Sequence, residues 1–398
     1  MKWGLINNFY SISYLNCRDS LLCIMKLGYL LRWMIGVFQA NCKTTAMGIM
    51  PHRDIDRALQ LTLSLDIPFW PQLPHVSYYE DMYAQFSQHF PGIIVDEENS
   101  RLIFETSRFE KELEDYSLKM EDPEVFALNE KYSVVYHRFL EEKLDEHSAV
   151  RGQLIGPVSF GFKVADENKR PIIYNDNVKT ILYDFITRKI NVQYRELKEK
   201  NENAFVWLDE PGLSWVFSGL SGYSDVQAAK DYRSFLTGLG SIRALHLCAN
   251  VNLSYLLEIG VDLLSFDAYQ MQLMPKGYAD SVSRFINDGG IICWGIVPTD
   301  SDNLSVHTPQ SLTDLLIEYW NVISDNTGLS LKAIASQALL APARCCLKNI
   351  GQVGASDDVR PDKVEEVDLS VEEILVEKAF KYLKDISEIL KNEFNLTI

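Results

Sequence analysis

Two side chains that bind metals well, His246 and Cys248, stand two residues apart at the end of a strand-like run. Because alternate residues of a strand point to the same face, the imidazole and the thiol would lie side by side. An imidazole and a thiolate held that closely make half of a tetrahedral zinc site. Two later apolar runs could supply the other half, since one ends at Asp267 and the other is followed by Cys345. The sequence therefore predicts a Zn²⁺ site formed by His246, Cys248, Asp267 and Cys345.

The segments around these residues alternate between strand-like and helix-like patterns. The strand candidates are residues 45–52, 153–160, 204–208, 242–247, 261–266, 290–297 and 335–340. Helical spacing separates most of them, at residues 54–65, 177–198, 224–238, 252–258, 278–287 and 311–326. Seven strands are one short of eight, and we expect the missing strand within residues 66–80. This order predicts an α/β fold, a single (β/α)8 TIM barrel.

Three segments fall outside this alternation. Residues 91–110 have the pattern of an inserted hairpin, with arms at 92–96 and 101–104. Residues 123–147 have the pattern of a charged amphipathic helix, and residues 367–394 predict a C-terminal helix.

Polar residues gather where the predicted strands end. They are Asp209, Glu210, His246, Cys248, Asp267, Asp300 and Cys345. Catalytic groups of a (β/α)8 barrel lie at the carboxyl ends of its strands. The sequence therefore predicts an active site at this face, with Asp209 and Glu210 as candidate catalytic residues. The alternative is that these two carboxylates make an ordinary solvated strand end, and that His246 and Cys248 are core residues.

The composition limits the classes of function. The chain has 398 residues, 47% of them hydrophobic, which is enough for a large core, and its net charge is -17. An acidic chain without a face dense in Lys and Arg is a poor general binder of nucleic acid. The seven cysteines are odd in number and widely scattered, unlike those of a small disulfide-bonded domain. We therefore expect a reducing compartment, the cytoplasm, and no nucleic-acid partner.

The first 43 residues differ in character from the rest of the chain. Residues 20–38 could pass for a membrane span, but Lys26 and Arg32 interrupt it, at a cost of about 3 kcal/mol each near a bilayer centre. No clean apolar core with a cleavage site marks a signal peptide. We expect residues 1–43 to be a non-native or disordered extension, and residues 44–398 to form one barrel domain without stable membrane insertion. A packed helix or a membrane-associated segment stays open for the extension.

Residues 44–350 resemble the catalytic barrel of cobalamin-independent methionine synthase. The motifs that carry the resemblance are Met47-Gly48-Ile49-Met50-Pro51-His52, Gly156-Pro157-Val158-Ser159, Trp207-Leu208-Asp209-Glu210-Pro211, and the set His246-Leu247-Cys248, Asp267 and Cys345-Cys346-Leu347-Lys348. They are similar, in that order, to the family's opening Gly-Ser-x-Pro turn, its Gly-Pro-Val-Thr, its Asp-Glu-Pro strand end, and its zinc-binding His-x-Cys, carboxylate and Cys-Gly-Leu-Lys. The wider superfamily also contains uroporphyrinogen decarboxylase and corrinoid-dependent methyltransferases.

The resemblance implies roles for several residues. Asp209 would hold the amino group of the substrate, and the opening turn with Gly48, Ile49 and His52 would contact the substrate. In the same pattern Ile49 replaces a serine. The resemblance thus adds a substrate site to the predicted zinc site.

Two of the predicted metal ligands also depart from the family pattern. The third family ligand is Glu, and Asp267 is one methylene shorter. Cys346 replaces the glycine after the last cysteine, so either of two thiols could ligate. The register of the following Leu347 and Lys348 selects Cys345.

The function implied by the resemblance is zinc-dependent transfer of a methyl group to a thiol, with homocysteine as acceptor and methionine as product. A methylcorrinoid protein or another non-folate donor is expected, because the chain has no room for the barrel that helps the family bind folate. Two alternatives stay open. One is a uroporphyrinogen decarboxylase-like lyase, which would use Asp209 as its key acid and no zinc. The other is a non-catalytic homologue that binds a thiol or a corrinoid protein.

Overall fold

Seven parallel strands form the central sheet, in a computed structural model that describes residues 38–219, 221–248, 252–346 and 369–396. The predicted extension, residues 1–43, lies outside these residues except for its last six. The strands of the sheet are β1 (Lys43–Thr44), β4 (Arg151–Ile155), β5 (Phe205–Asp209), β6 (Ala244–Leu247), β7 (Leu263–Asp267), β8 (Ile291–Val297) and β9 (Ala338–Pro342). Their order across the sheet is β1-β9-β8-β7-β6-β5-β4. Sequential strands from β4 to β9 are therefore neighbours, and their carboxyl ends meet at one face.

The two edge strands, β1 and β4, are joined by a proline-rich segment and not by an eighth strand. Ile67 N–H donates to Thr44 O, and Arg151 N–H donates to Pro68 O, both at 3.0 Å. Pro68 and Pro71 have no N–H, so the segment makes isolated bridges and no continuous ladder. The prediction of a closed eight-stranded barrel is therefore wrong. The sheet of the described residues is a curled seven-stranded partial barrel, whose two edges reach the same segment.

Helices connect the strands and flank the sheet. They are α1 (Ile55–Leu63), α2 (Met82–Ser87), α3 (Thr106–Lys119), α4 (Val134–Glu141), α5 (Pro157–Lys163), α6 (Asp176–Lys198), α7 (Leu213–Val216), α8 (Asp225–Thr237), α9 (Leu253–Glu258), α10 (Lys276–Asn287), α11 (Ser301–Val306), α12 (Pro309–Thr327), α13 (Leu331–Ser336) and α14 (Leu369–Glu393). A hairpin pairs β2 (Ile93–Asp96) with β3 (Arg101–Phe104) in antiparallel register. Among the described residues, no helix has the length and apolar character needed to cross a membrane.

Helix α6 illustrates how the sequence sets these elements. The side chain of Asn175 accepts hydrogen bonds from two N–H groups of the first turn, which would otherwise lack a partner. Leu182, Phe185 and Ile186 recur at helical spacing and are buried against the sheet side of the helix. The helix is therefore fixed by its N-cap and by one apolar stripe.

Four predicted elements differ from those observed. The first strand, expected at 45–52, is displaced to β1 (Lys43–Thr44), and Ile49 makes only an isolated bridge. The strand expected at 153–160 ends at Ile155, since Pro157 occupies the first turn of α5, where its missing N–H is tolerated. The strand expected at 335–340 is displaced, because α13 continues to Ser336 before β9 begins. The long helix expected at 123–147 is reduced to α4 and one 3-10 turn. At 153–160 and 335–340 the apolar pattern suits either a strand or a helix, so periodicity alone places the boundary poorly.

The core lies on both faces of the parallel sheet. Every residue of β4 to β9 is buried. Parallel strands are covered on both sides, which is why these segments are almost continuously apolar. The buried strands thus hold the polar residues at their ends in fixed positions.

Candidate active site at the carboxyl ends of the strands

His246 lies in β6 and is buried, with 1% of its surface exposed. Its Nδ1 lies 2.9 Å from Ser265 Oγ, the residue opposite it on β7. The ring stacks on Trp207 of β5, with centroids 5.2 Å apart and planes within 7°. Nε2 has no hydrogen-bond partner among the described residues. In the tautomer in which Nδ1–H donates to Ser265 Oγ, Nε2 carries a lone pair.

Burial keeps this imidazole neutral. Desolvation, and secondarily the nearby Arg151 guanidinium, lower the pKa of His246 to about 3. No proton therefore competes for Nε2 at neutral pH.

Cys248 follows β6 directly and is half-buried. Desolvation raises the pKa of its thiol, and the neighbouring Cys345, Asp209 and Asp267 raise it further. Cys345, Asp209 and Asp267 therefore lie near enough to Cys248 to influence its thiol electrostatically. Cys346, by contrast, packs in the hydrophobic core, which supports the assignment of Cys345 as the candidate ligand.

Asp267 ends β7, and both of its carboxylate oxygens accept hydrogen bonds. Gln270 N–H donates to Oδ1 at 3.0 Å, and Arg344 Nε donates to Oδ2 at 2.9 Å. Burial raises the pKa of Asp267, and the Arg344 hydrogen bond opposes that rise. The carboxylate is thus held by the protein itself.

The four predicted ligands differ in how well their donor atoms suit zinc. No three His, Cys, Asp or Glu side chains of the described residues stand in a ready metal-binding arrangement. The buried, unpartnered Nε2 of His246 and the thiols of Cys248 and Cys345 have the chemistry that zinc prefers. Asp267 does not fit as well, because its oxygens are already engaged. The ligand set remains a prediction.

Asp209 ends β5 on the same face. Trp207 Nε1–H donates to its Oδ1 at 3.2 Å, while Oδ2 has no partner among the described residues. Desolvation raises the pKa of Asp209 to about 7, although the Arg151 guanidinium opposes the rise. Near neutral pH this carboxyl can therefore gain or lose a proton, and it has one oxygen available to a ligand.

Glu210 forms hydrogen bonds with the start of α5. It accepts hydrogen bonds from Val158 N–H at 3.1 Å, and from the N–H and Oγ of Ser159 at 2.8 and 2.6 Å. A Cβ on Gly156 would lie 2.1 Å from Glu210 Oε1, so only glycine leaves room for this contact. Both oxygens of Glu210 are thus engaged at the start of α5, whereas Asp209 keeps one oxygen without a partner among the described residues.

The opening turn after β1 is buried. Gly48 packs against the Gln153 side chain, and Ile49 bridges to Gln72. His52 is fully buried, and both of its ring nitrogens lack partners among the described residues. Burial lowers the pKa of His52, and the charges nearest to it include Glu373 on α14. Nothing in these contacts joins His52 to the predicted zinc site.

Sequence reasoning missed several residues whose side chains bear on this site, although one of them, Arg151, lies at the amino end of β4. Arg151 is fully buried, with its Cζ 3.9 Å from the ring centroid of Trp207 and 4.5 Å from that of Phe69. Ser265 could have been found, because it precedes Asp267 by two residues and must share its face. Arg344 had no signal beyond its position next to a candidate ligand.

Comparison with known proteins finds likeness in structure and none in sequence. No protein-family model matches the chain, and no curated protein matches its sequence. The chain is similar in structure to a B12-independent methionine synthase from Shewanella sp. W3-18-1 in complex with selenomethionine, with a TM-score of 0.49 and 13% sequence identity, over 86% of this chain and 89% of that chain. A likeness at this level carries no information about activity.

Proposed function

We propose that this protein is a zinc-dependent methyltransferase that moves a methyl group to a thiol, with homocysteine as acceptor and a methylcorrinoid or other non-folate donor. The observation that carries the proposal is the buried Nε2 of His246, which has no partner among the described residues, on the strand that leads two residues later to Cys248, whose thiol is influenced by Cys345. The cytoplasm suits this activity, because the thiols must stay reduced.

His246 Nε2 is a buried nitrogen without a hydrogen-bond partner among the described residues, and such an atom lowers the stability of the folded protein. A buried polar atom without a hydrogen bond destabilises a protein by about 1–3 kcal/mol. A metal ion would satisfy His246 Nε2 and would also replace the protons of the two thiols. Soft sulfur donors beside an imidazole select zinc over magnesium or calcium.

The chain's own residues would bind and orient the thiol substrate. Bound zinc would hold the substrate thiol as the nucleophilic thiolate. Asp209 Oδ2 would accept a hydrogen bond from the substrate ammonium group, and the positive charge would lower the pKa of Asp209 and keep it ionised. Trp207 holds the other oxygen of that carboxylate and stacks on His246. The amino-group site and the metal site would therefore share one rigid support.

Metal analysis of the purified, reduced protein tests this proposal. We expect about one zinc per chain in the wild type, as in other three-ligand catalytic sites, and its loss in Cys248→Ser and Cys345→Ser. Cys346→Ala is the matched control, because it removes the adjacent thiol and should keep the metal. Absence of zinc from the wild type after reconstitution under reducing conditions would refute the proposal.

A decarboxylase-like lyase is the second candidate. It is favoured by the lack of a ready three-residue metal group among the described side chains, and by the pKa of Asp209 near 7, which suits a proton donor. The same metal analysis separates the two, since the lyase needs no zinc.

A further inference from the structure

Tyr83 approaches the candidate site from an element outside the parallel sheet. It belongs to the short helix α2, in the segment between β1 and β4. We infer that the Tyr83 hydroxyl is a specificity-determining contact, which accepts a hydrogen bond from the ammonium group of an amino-acid ligand bound at Asp209. The inference rests on the proposed function, because it concerns the acceptor that this function names, and it does not depend on a metal.

The backbone that carries Tyr83 is fixed on both sides. The Asp81 carboxylate accepts hydrogen bonds from the N–H groups of Tyr83 and of the next residue, at 2.9 and 3.2 Å. The buried side chain of Gln85, on the same helix, donates to Glu80 at 2.9 Å and accepts a hydrogen bond from Gln72 at 2.7 Å. These contacts tie α2 to the turn before it and to the segment that joins the two edges of the sheet. Tyr83 is therefore held in a defined position.

The ring of Tyr83 packs toward the strand ends. It stacks on Phe160 of α5, with ring centroids 6.3 Å apart and planes within 28°. The first turn of α5 donates its N–H groups to Glu210, the residue that follows Asp209. Helix α5 thus links Tyr83 to the carboxyl end of β5, where Asp209 lies.

The charges that act on Tyr83 place it near two strand ends. Desolvation raises the pKa of its phenol, and four acidic groups raise it further, namely Asp81, Glu210, Cys248 and Asp209. The last three end β5 or follow β5 and β6 directly. Tyr83 therefore lies near enough to the carboxyl ends of both strands to respond to their charge, and its hydroxyl keeps its proton at neutral pH.

An ammonium group at Asp209 needs more than one acceptor. It has three N–H donors, whereas Asp209 has one carboxylate oxygen, Oδ2, without a partner among the described residues. Glu210 cannot take part, because both of its oxygens are engaged at the start of α5. The Tyr83 side chain is half-buried, and its hydroxyl makes no hydrogen bond with any residue that the structure describes. Its oxygen is thus available as the second acceptor.

The acidic surroundings also select the charge of the ligand group. Since the charges that act on Tyr83 are negative, a cationic group is attracted to this point and a carboxylate is repelled. A neutral phenol can accept a hydrogen bond from that cation and keep its own proton. We therefore expect Asp209 and Tyr83 together to distinguish an amino acid from the same molecule without its amino group.

Tyr83→Phe tests this contact, because it removes the hydroxyl and keeps the ring that stacks on Phe160. The two probes are methionine, the product under the proposed function, and the analogue of methionine that lacks the amino group. Binding of each to the full chain is measured by calorimetry. Methionine should bind about 10–100-fold more weakly to the variant, since a hydrogen bond to a charged group is lost. The analogue should bind to the variant and to the wild type equally.

Tyr78→Phe is the matched control. Tyr78 lies five residues earlier and is also half-buried. Burial raises the pKa of Tyr78, and the charges that raise it further are those of Asp81 and Asp96, not those of the strand ends. This variant should bind both probes as the wild type does. The unfolding temperatures of both variants should stay close to that of the wild type.

The outcomes separate this inference from the proposed function. Unchanged affinity for methionine in Tyr83→Phe, or equal weakening for both probes, would overturn the inference, since equal weakening indicates a packing role. A wild type that binds neither probe would overturn the inference together with the proposed acceptor. Methionine binding that depends on Tyr83, in a protein that transfers no methyl group to homocysteine, would support the inference and refute the proposed function alone.

Discussion

The variant Asp209→Asn should gain stability over the wild type as the pH rises from 5 to 8. Burial raises the pKa of Asp209 from its ordinary value of 3.8 to about 7. Between these values the folded protein keeps a proton that the unfolded chain has lost, so the stability of the wild type falls with rising pH. Asparagine cannot ionise, and the variant escapes this loss.

The magnitude follows from the pH interval. From pH 5 to the folded pKa near 7 there are about two pH units, and each unit corresponds to 1.36 kcal/mol, which gives about 3 kcal/mol. For a folded unit of this length that difference corresponds to roughly 4 °C in the unfolding temperature. The assay is thermal unfolding of both proteins at pH 5 and pH 8, and the measured quantity is the change in their difference. Glu210 titrates in both proteins, so its contribution cancels.

Asp300→Asn is the matched control. Although burial raises the pKa of Asp300, hydrogen bonds from Asn303 outweigh that effect and lower it below 3.8. The carboxyl is therefore ionised in both states above pH 5, and the effect of this variant should not depend on pH. If Asp209→Asn instead lost stability at pH 8, the carboxylate would be ionised and paired with Arg151, and the assignment of a neutral resting Asp209 would be refuted.

Three further predictions concern the metal site and its support. Ser265→Ala should weaken zinc binding by about 10–100-fold, because the Ser265 hydroxyl fixes the orientation of the His246 ring. The unfolding temperature should stay close to that of the wild type. Equal zinc affinity in a chelator competition would contradict this prediction. Zinc affinity should rise about a hundredfold per pH unit between pH 6.5 and 7.5, because Cys248 and Cys345 each release a proton while the imidazole is already neutral; a tenfold rise would leave a single thiol ligand. Gly295→Ala should destabilise the protein by about 1–3 kcal/mol, because the added Cβ would lie 2.5 Å from a carbonyl oxygen of the neighbouring strand. An unchanged unfolding temperature would contradict this prediction, since it would show that the neighbouring strands accommodate the Cβ without loss of stability.

The sequence predicts the order of the strands better than it predicts their limits. The apolar runs that became β5 to β8 are bounded by polar or turn residues, so their ends and the polar face were visible. Around Gly156 and Ser336 apolar residues continue through a change from strand to helix or from helix to strand, and periodicity cannot divide them. The closing segment was expected near 66–80, but Pro68 and Pro71 prevent a regular strand there.

The candidate site was predictable only in part. The prediction of His246 and Cys248 rests on the alternation of side chains along a strand, and that of Asp209 on its position at the end of a strand. The pairing of Arg344 with Asp267 crosses β8 and depends on how closely two loops approach, which local sequence does not encode. The contact between Glu210 and the start of α5 is of the same kind, and it engages both oxygens of a candidate catalytic carboxylate.

The central claim is that zinc bound by this chain activates a thiol for methyl transfer. The most direct measurement is methionine formation from homocysteine and methylcobalamin by zinc-loaded protein, beside protein stripped of metal by a chelator. The control is Arg243→Gln, which breaks the ion pair of Arg243 with Asp262 at the amino ends of β6 and β7. The account predicts methionine with the zinc-loaded wild type and with the control, and none after stripping until zinc is restored. Equal product with and without zinc, or none with fully loaded protein, would contradict it.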